Sequence, residues 1–106
     1  MKEKVIERFI RYAKIHTTSD PESSTYPSSS RQLDFIQLLA GELKSIGCTD
    51  VEVDEFGYLM ATIPANTNTK SPVIGFIAHV DTSPDFSGEN VNPQIVQNYN
   101  GLPIQL

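Results

Sequence analysis

The chain has 106 residues, 39% of them hydrophobic and 20% charged. That is enough for one small core and too little for two, and the mix is too apolar for a disordered segment. The net charge is -5 and the basic residues are scattered, which argues against a nucleic-acid partner.

Met1 to Arg8 mixes acids and bases without a continuous apolar run, so it does not read as a signal peptide. Lys2 to Ile15 has helical spacing. Val5, Phe9 and Ala13 fall on one stripe with Ile6 and Ile10 beside it, while Lys4, Glu7, Arg8, Arg11 and Lys14 mostly take the other side. The pattern predicts an amphipathic surface helix, and its modest length and mixed charge argue against a membrane role. His16 follows this helix and reads as a helix-terminal or loop residue. Thr17 to Ser30 is rich in Ser, Thr and Pro. It is either a solvent-exposed loop or one whose hydroxyls and Tyr26 cover a binding cleft. Ser29 and Gln32 stand in the spacing of a capping box that opens a second helix. The buried side of that helix is expected to carry Leu33, Phe35, Ile36, Leu39, Leu43 and Ile46. Lys44 sits in its last turn and Gly47 supplies a left-handed stop.

Strand patterns follow. Val51 and Val53 alternate with Glu52 and Asp54, Phe56-Gly57 forms a turn, and Tyr58 to Ile63 forms a second strand closed by Pro64. Val73 to Ala78 is a continuous apolar run, which predicts a central strand covered on both faces. It is far short of the ~20 residues that cross a bilayer. A last short strand is expected through Pro93 to Gln97. The order gives an α/β fold: two amino-terminal helices, then three or four strands in a mixed sheet. Cys48 is the one cysteine, so no internal disulfide forms. It reads as a half-buried thiol, and a cytoplasmic location follows.

The apolar run leads straight into His79-Val80-Asp81. In open α/β sheets, ligands gather beyond the carboxyl ends of the strands. In an extended chain, residues two apart point to the same side, so His79 and Asp81 serve one site together. Neutral imidazole is a zinc ligand, and a neighbouring carboxylate fixes its tautomer. The pattern His-x-Asp is also a common accident. His79 then reads as a structural histidine at a strand end and Asp81 as a turn cap. Catalytic zinc takes three protein ligands, and hydrolysis needs a general base. Asp85 and Glu89 are near in sequence, but their spacing does not mark them as ligands, so the chain carries part of a site.

The longer run Ile74-Gly75-Phe76-Ile77-Ala78-His79-Val80-Asp81-Thr82-Ser83-Pro84-Asp85-Phe86-Ser87-Gly88-Glu89-Asn90-Val91-Asn92-Pro93 closely resembles the first metal-binding motif of the M20 zinc metallopeptidases, and among them the tripeptide aminopeptidases. Arg8-Phe9-Ile10-Arg11-Tyr12 with Thr17-Thr18-Ser19-Asp20, and Asp54 to Thr62, resemble the family's opening helix, loop and hairpin. The resemblance runs through essentially all of the chain. It implies a layered helix–mixed sheet–helix catalytic domain interrupted by a lid domain. It also implies two Zn2+ ions per full-length subunit and hydrolysis that releases the amino-terminal residue of a tripeptide. The family's zinc-ligand histidine maps to His79, and the acid that orients it maps to Asp81. Residues 1–106 then read as the amino-terminal portion of that domain. The bridging aspartate, the general base and the other zinc ligands have no counterpart here. On this reading the fragment alone is inactive, binds little or no zinc, and self-associates through its uncovered sheet. The alternatives are a related dipeptidase or deacylase, or a metal-free interaction module.

Overall fold

The computed structural model describes residues 2–105. Met1 and Leu106, which bound the two ends of the sequence reading, lie outside the described residues. Helix α1 spans Lys2–Ala13 and helix α2 spans Ser30–Ser45. Strands β1 (Thr49–Val53) and β2 (Leu59–Thr62) pair antiparallel. The result is an α/β fold.

Helix α2 is the organising element. It packs against β1 and, less extensively, β2. Phe35, Ile36 and Ala40 form the buried apolar core, and Gln32 is buried on the same helix. Leu39 and Leu43 are half-buried, whereas Leu33 and Ile46 are exposed. Ser29 occupies the N-cap position with extended backbone but makes no side-chain cap bond. The expected capping box is therefore absent, because the Gln32 carboxamide turns away to donate to the Thr17 carbonyl at 3.2 Å. At the other end Gly47, at φ 95°, closes the helix. The Cys48 N–H donates to the Leu43 carbonyl and the Gly47 N–H to the Lys44 carbonyl, so the last carbonyls are satisfied as the glycine predicts.

Helix α1 is held to α2 by long side chains. The Tyr12 and Phe35 rings meet edge to face, 5.2 Å apart. Tyr12 donates its hydroxyl proton to Glu42 at 2.6 Å, and Arg11 donates to the other carboxylate oxygen. Arg8 Nε sits 3.1 Å from Glu42 Oε2, off the hydrogen-bonding line, and contributes charge rather than a directed bond. The Arg11 and Tyr12 bonds hold the Glu42 carboxyl down at about 2. Burial, then the bond to Glu42, pushes the Tyr12 hydroxyl up. Of the apolar stripe, Val5, Ile6 and Phe9 are exposed, whereas Ile10 and Ala13 are half-buried. The docked face is the Arg8–Tyr12 side, because Glu42 on α2 attracts cations there.

The hairpin between the strands is built around Asp54. Its Oδ1 accepts from the N–H groups of Phe56 at 3.0 Å and Tyr58 at 2.8 Å. Gly57 takes φ 84°, and the Asp54 N–H donates to the Tyr58 carbonyl at 3.1 Å. The register slips between Thr49 and Glu52, where Asp50 has a φ of 50°. That combination marks a bulge.

The central strand expected at Val73 to Ala78 does not form, nor does the one expected at Pro93 to Gln97. A strand needs neighbours to take its N–H and C=O groups. Among the described residues β1 and β2 pair only with each other, and no strand flanks the apolar run. The sheet is therefore two-stranded and antiparallel, not mixed. Val73, Phe76 and Ile77 are 99%, 95% and 101% exposed. The molecule is correspondingly open. Its radius of gyration is 17.1 Å, against about 13 Å for a compact domain of this size. Its accessible surface is 9421 Å², against roughly 5,900 Å² for a compact monomer of equal mass. No described helix is long and apolar enough to cross a membrane.

Candidate functional site

His79 and Asp81 lie on the exposed segment that follows the apolar run, not at the end of a buried strand. Their side chains nevertheless come together. His79 Nδ1 is 3.0 Å from Asp81 Oδ1, with the two side chains 83% and 46% exposed. A carboxylate without a proton only accepts, so a neutral ring that makes this bond carries its proton on Nδ1. The Nε2 lone pair is then left free, which is the tautomer that suits a metal ligand.

The segment is fixed one residue beyond Asp81. Thr82 bridges in parallel to Thr18. Its N–H donates to the Thr17 carbonyl at 3.3 Å, and its own carbonyl accepts the Ser19 N–H at 3.0 Å. Thr17 is buried at 2% exposure and Gln32 at 4%. The local sequence explains the shape. Thr17, Thr18 and Ser19 follow the end of α1 and present both backbone and hydroxyl groups. Gln32, in the first turn of α2, reaches back to secure them.

Gly88 is part of this arrangement. Its N–H donates to Thr18 Oγ1 at 3.2 Å. A Cβ on Gly88 would stand 2.7 Å from that oxygen and 3.3 Å from His16 Cδ2. A side chain is excluded there unless the loop shifts. His16, read as a loop residue, is half-buried and borders this contact. Asp85 accepts from the Ser83 hydroxyl at 2.8 Å, and the Glu89 N–H donates to the Ser87 hydroxyl at 3.1 Å. Neither is drawn to the His79–Asp81 pair. Tyr26 is 79% exposed. Cys48 is half-buried and free, as read from sequence.

Zinc chemistry fits the donor set only in part. His79 offers an exposed imidazole with Nδ1 against Asp81. Among the described residues, no group of three or more His, Cys, Asp or Glu is arranged to hold a metal ion. What the described residues bring together is the His79–Asp81 pair alone.

No family model matches the chain. Peptidase T from Geobacillus kaustophilus (strain HTA426) is 57% identical over 106 residues, all of this chain and 26% of the relative. Peptidase T from Halothermothrix orenii is 58% identical over 103 residues, 97% of this chain and 25% of the relative. Peptidase T from Bacillus cereus (strain B4264) is 55% identical over 106 residues. The chain matches Peptidase T along its whole length. It spans about a quarter of the length of the curated relatives it matches. The stretch Ile74 to Pro93, which carries the resemblance most specifically, lies inside the matched region.

Sequence reasoning singled out His79 and Asp81, which the structure brings into contact, and missed the residues that anchor Thr82 after them. Thr17, Thr18 and Ser19 stood out as a hydroxyl-rich loop. Nothing in the residues themselves tied them to Thr82 and Gly88, far along the chain.

Proposed function

We propose that this chain is part of a zinc-dependent aminopeptidase that releases the amino-terminal residue of tripeptides. The observation that carries the reading is the His79–Asp81 pair, 3.0 Å apart, in a chain that matches Peptidase T from end to end. His79 supplies one zinc ligand through Nε2. Asp81 holds the proton on Nδ1 and sets the direction of the ring. Zinc, when bound, supplies Lewis acidity toward the peptide carbonyl and a nucleophile at neutral pH. The general base and the remaining ligands come from other parts of the longer protein, which carries two Zn2+ ions. The 106 residues alone do not complete the site, and on this reading they are inactive. A cytoplasmic location fits a chain with a single free cysteine.

The test uses the full-length protein, with metal content measured by mass spectrometry and a panel of tripeptides, dipeptides and N-acylated amino acids. Tripeptides are expected to be cleaved fastest. His79→Ala is expected to lose zinc and activity together. Asp81→Asn is expected to lower metal affinity or activity roughly 10- to 100-fold, the usual effect of losing a carboxylate behind a ligand histidine. Full activity and full zinc in His79→Ala would overturn the assignment. A preference for dipeptides or acylated substrates would replace the tripeptidase reading with a related hydrolase.

A further inference from the structure

The hydrogen bonds that join residues 63–105 to the rest of the described chain all involve Thr17, Thr18 or Ser19. The Thr82 N–H donates to the Thr17 carbonyl at 3.3 Å. The Thr82 carbonyl accepts both the N–H and the hydroxyl of Ser19, each at 3.0 Å. The hydroxyls of Thr18 and Thr82 lie 3.3 Å apart, and Thr18 Oγ1 accepts the Gly88 N–H at 3.2 Å. Behind them, the Gln32 carboxamide donates to the Thr17 carbonyl at 3.2 Å.

The anchor and its load differ sharply in burial. Thr17 and Gln32 are almost fully enclosed. The His79 side chain is 83% exposed, and the apolar run before it has no described strand partner. Among the described residues, the hydrogen-bonded anchor nearest the pair is therefore on its carboxyl side, at Thr82. Consecutive Cα atoms are ~3.8 Å apart, so holding Thr82 confines Asp81 to a small volume. The 3.0 Å contact then carries that placement on to His79.

We propose that Thr17, Thr18 and Ser19, backed by Gln32, are positioning residues for the His79–Asp81 pair. They act through hydrogen bonds at Thr82 and Gly88 rather than through bonds to the pair's own side chains. The closed loop between Thr82 and Gly88 is held at both ends, and Gly88 permits the close approach of Thr18. This inference rests on the reading of His79 and Asp81 as zinc-site residues.

Two measurements on the full-length protein test it. The first is amide hydrogen exchange, which needs no metal. Thr18→Val keeps the shape of the side chain and removes the acceptor. It is expected to speed exchange at Gly88, and to a lesser degree at Thr82, by about tenfold or more. The second is titration of the zinc-free protein with cobalt(II), read by its visible absorption. Thr18→Val and Gly88→Ala are expected to weaken cobalt binding about tenfold and to alter the band, with Thr18→Ser restoring both. Gly88→Ala decides the matter if Thr18→Val fails to fold. Wild-type cobalt affinity and an unchanged band in a folded variant overturn the inference, whatever the exchange shows. A wild-type protein that takes up no cobalt overturns the zinc reading, and this inference with it.

Discussion

The carboxamide of Gln32 donates to the backbone carbonyl of Thr17 at 3.2 Å, and the same oxygen accepts the Thr82 N–H at 3.3 Å. One buried carbonyl thus joins α2, the loop after α1 and the segment carrying His79 and Asp81. Gln32→Leu keeps the volume and removes the donor. It is expected to cost about 1 kcal/mol, the net value of a typical hydrogen bond. Gln32→Glu is expected to cost more, because a carboxylate cannot donate and faces a carbonyl oxygen in a buried place. Urea unfolding measures both, and midpoints equal to that of the parent would contradict this account.

Phe35 carries much of the small core. It is 7% exposed and packs edge to face with Tyr12. Phe35→Ala is expected to destabilise by about 3–5 kcal/mol, because so few buried residues remain to close the cavity. The fold is expected to lose helical circular dichroism at lower temperature as α1 loses its apolar support. A melting curve superposable on the parent's would show that the Tyr12–Phe35 contact contributes little.

Glu42 makes stability depend on acid. Its folded carboxyl titrates at about 2, below the ordinary 4.5, chiefly through the Arg11 and Tyr12 bonds. A depressed folded value means that the unfolded state binds the proton more readily. The stabilisation is therefore complete above about pH 4.5 and is lost as pH falls through 4.5 toward 2. Its size is modest, because the two arginine partners are partly exposed. Glu42→Gln is expected to be less stable than the parent at pH 7 and to show a flatter decline between pH 5 and pH 2. Parallel pH profiles for the two proteins would remove Glu42 from this role.

Gly57 sits at φ 84° in the hairpin. A Cβ there would stand 3.3 Å from both Ile36 Cδ1 and Pro27 Cδ. Gly57→Ala is expected to cost at least about 1 kcal/mol, since it adds strain in the left-handed region to a tight contact with the core. Gly41, which meets nothing within 4 Å and lies inside α2, is the control. Gly41→Ala is expected to stabilise slightly, by up to ~1 kcal/mol. Thermal melts that rank the two substitutions the other way would refute both arguments.

The exposed apolar run gives a last expectation. Val73, Phe76 and Ile77 lie in water along a segment without a described strand partner. Light scattering on the 106-residue chain at tens of micromolar is expected to report dimers or larger species, and Phe76→Lys is expected to shift the population toward monomer. A monomeric parent at that concentration would contradict it.

The sequence by itself determined the local features. The helix of α2 follows from its apolar spacing, its end from Gly47, the hairpin from Asp54 and Gly57, and the nearness of His79 and Asp81 from a spacing of two. Each depends on residues close together in the chain, where the backbone's few allowed conformations decide. The tertiary structure decided what needed a distant partner. The Val73 to Ala78 run has the composition of a buried strand, yet no neighbour among the described residues pairs with it. Gln32 has the spacing of a cap, yet its side chain serves Thr17. The apolar spacing of α1 gave no sign that Arg8, Arg11 and Tyr12 would meet Glu42 on another helix. Hydrogen bonds and ion pairs across a fold depend on where two remote segments meet, and only the folded chain brings Thr18 beside Thr82 and Gly88.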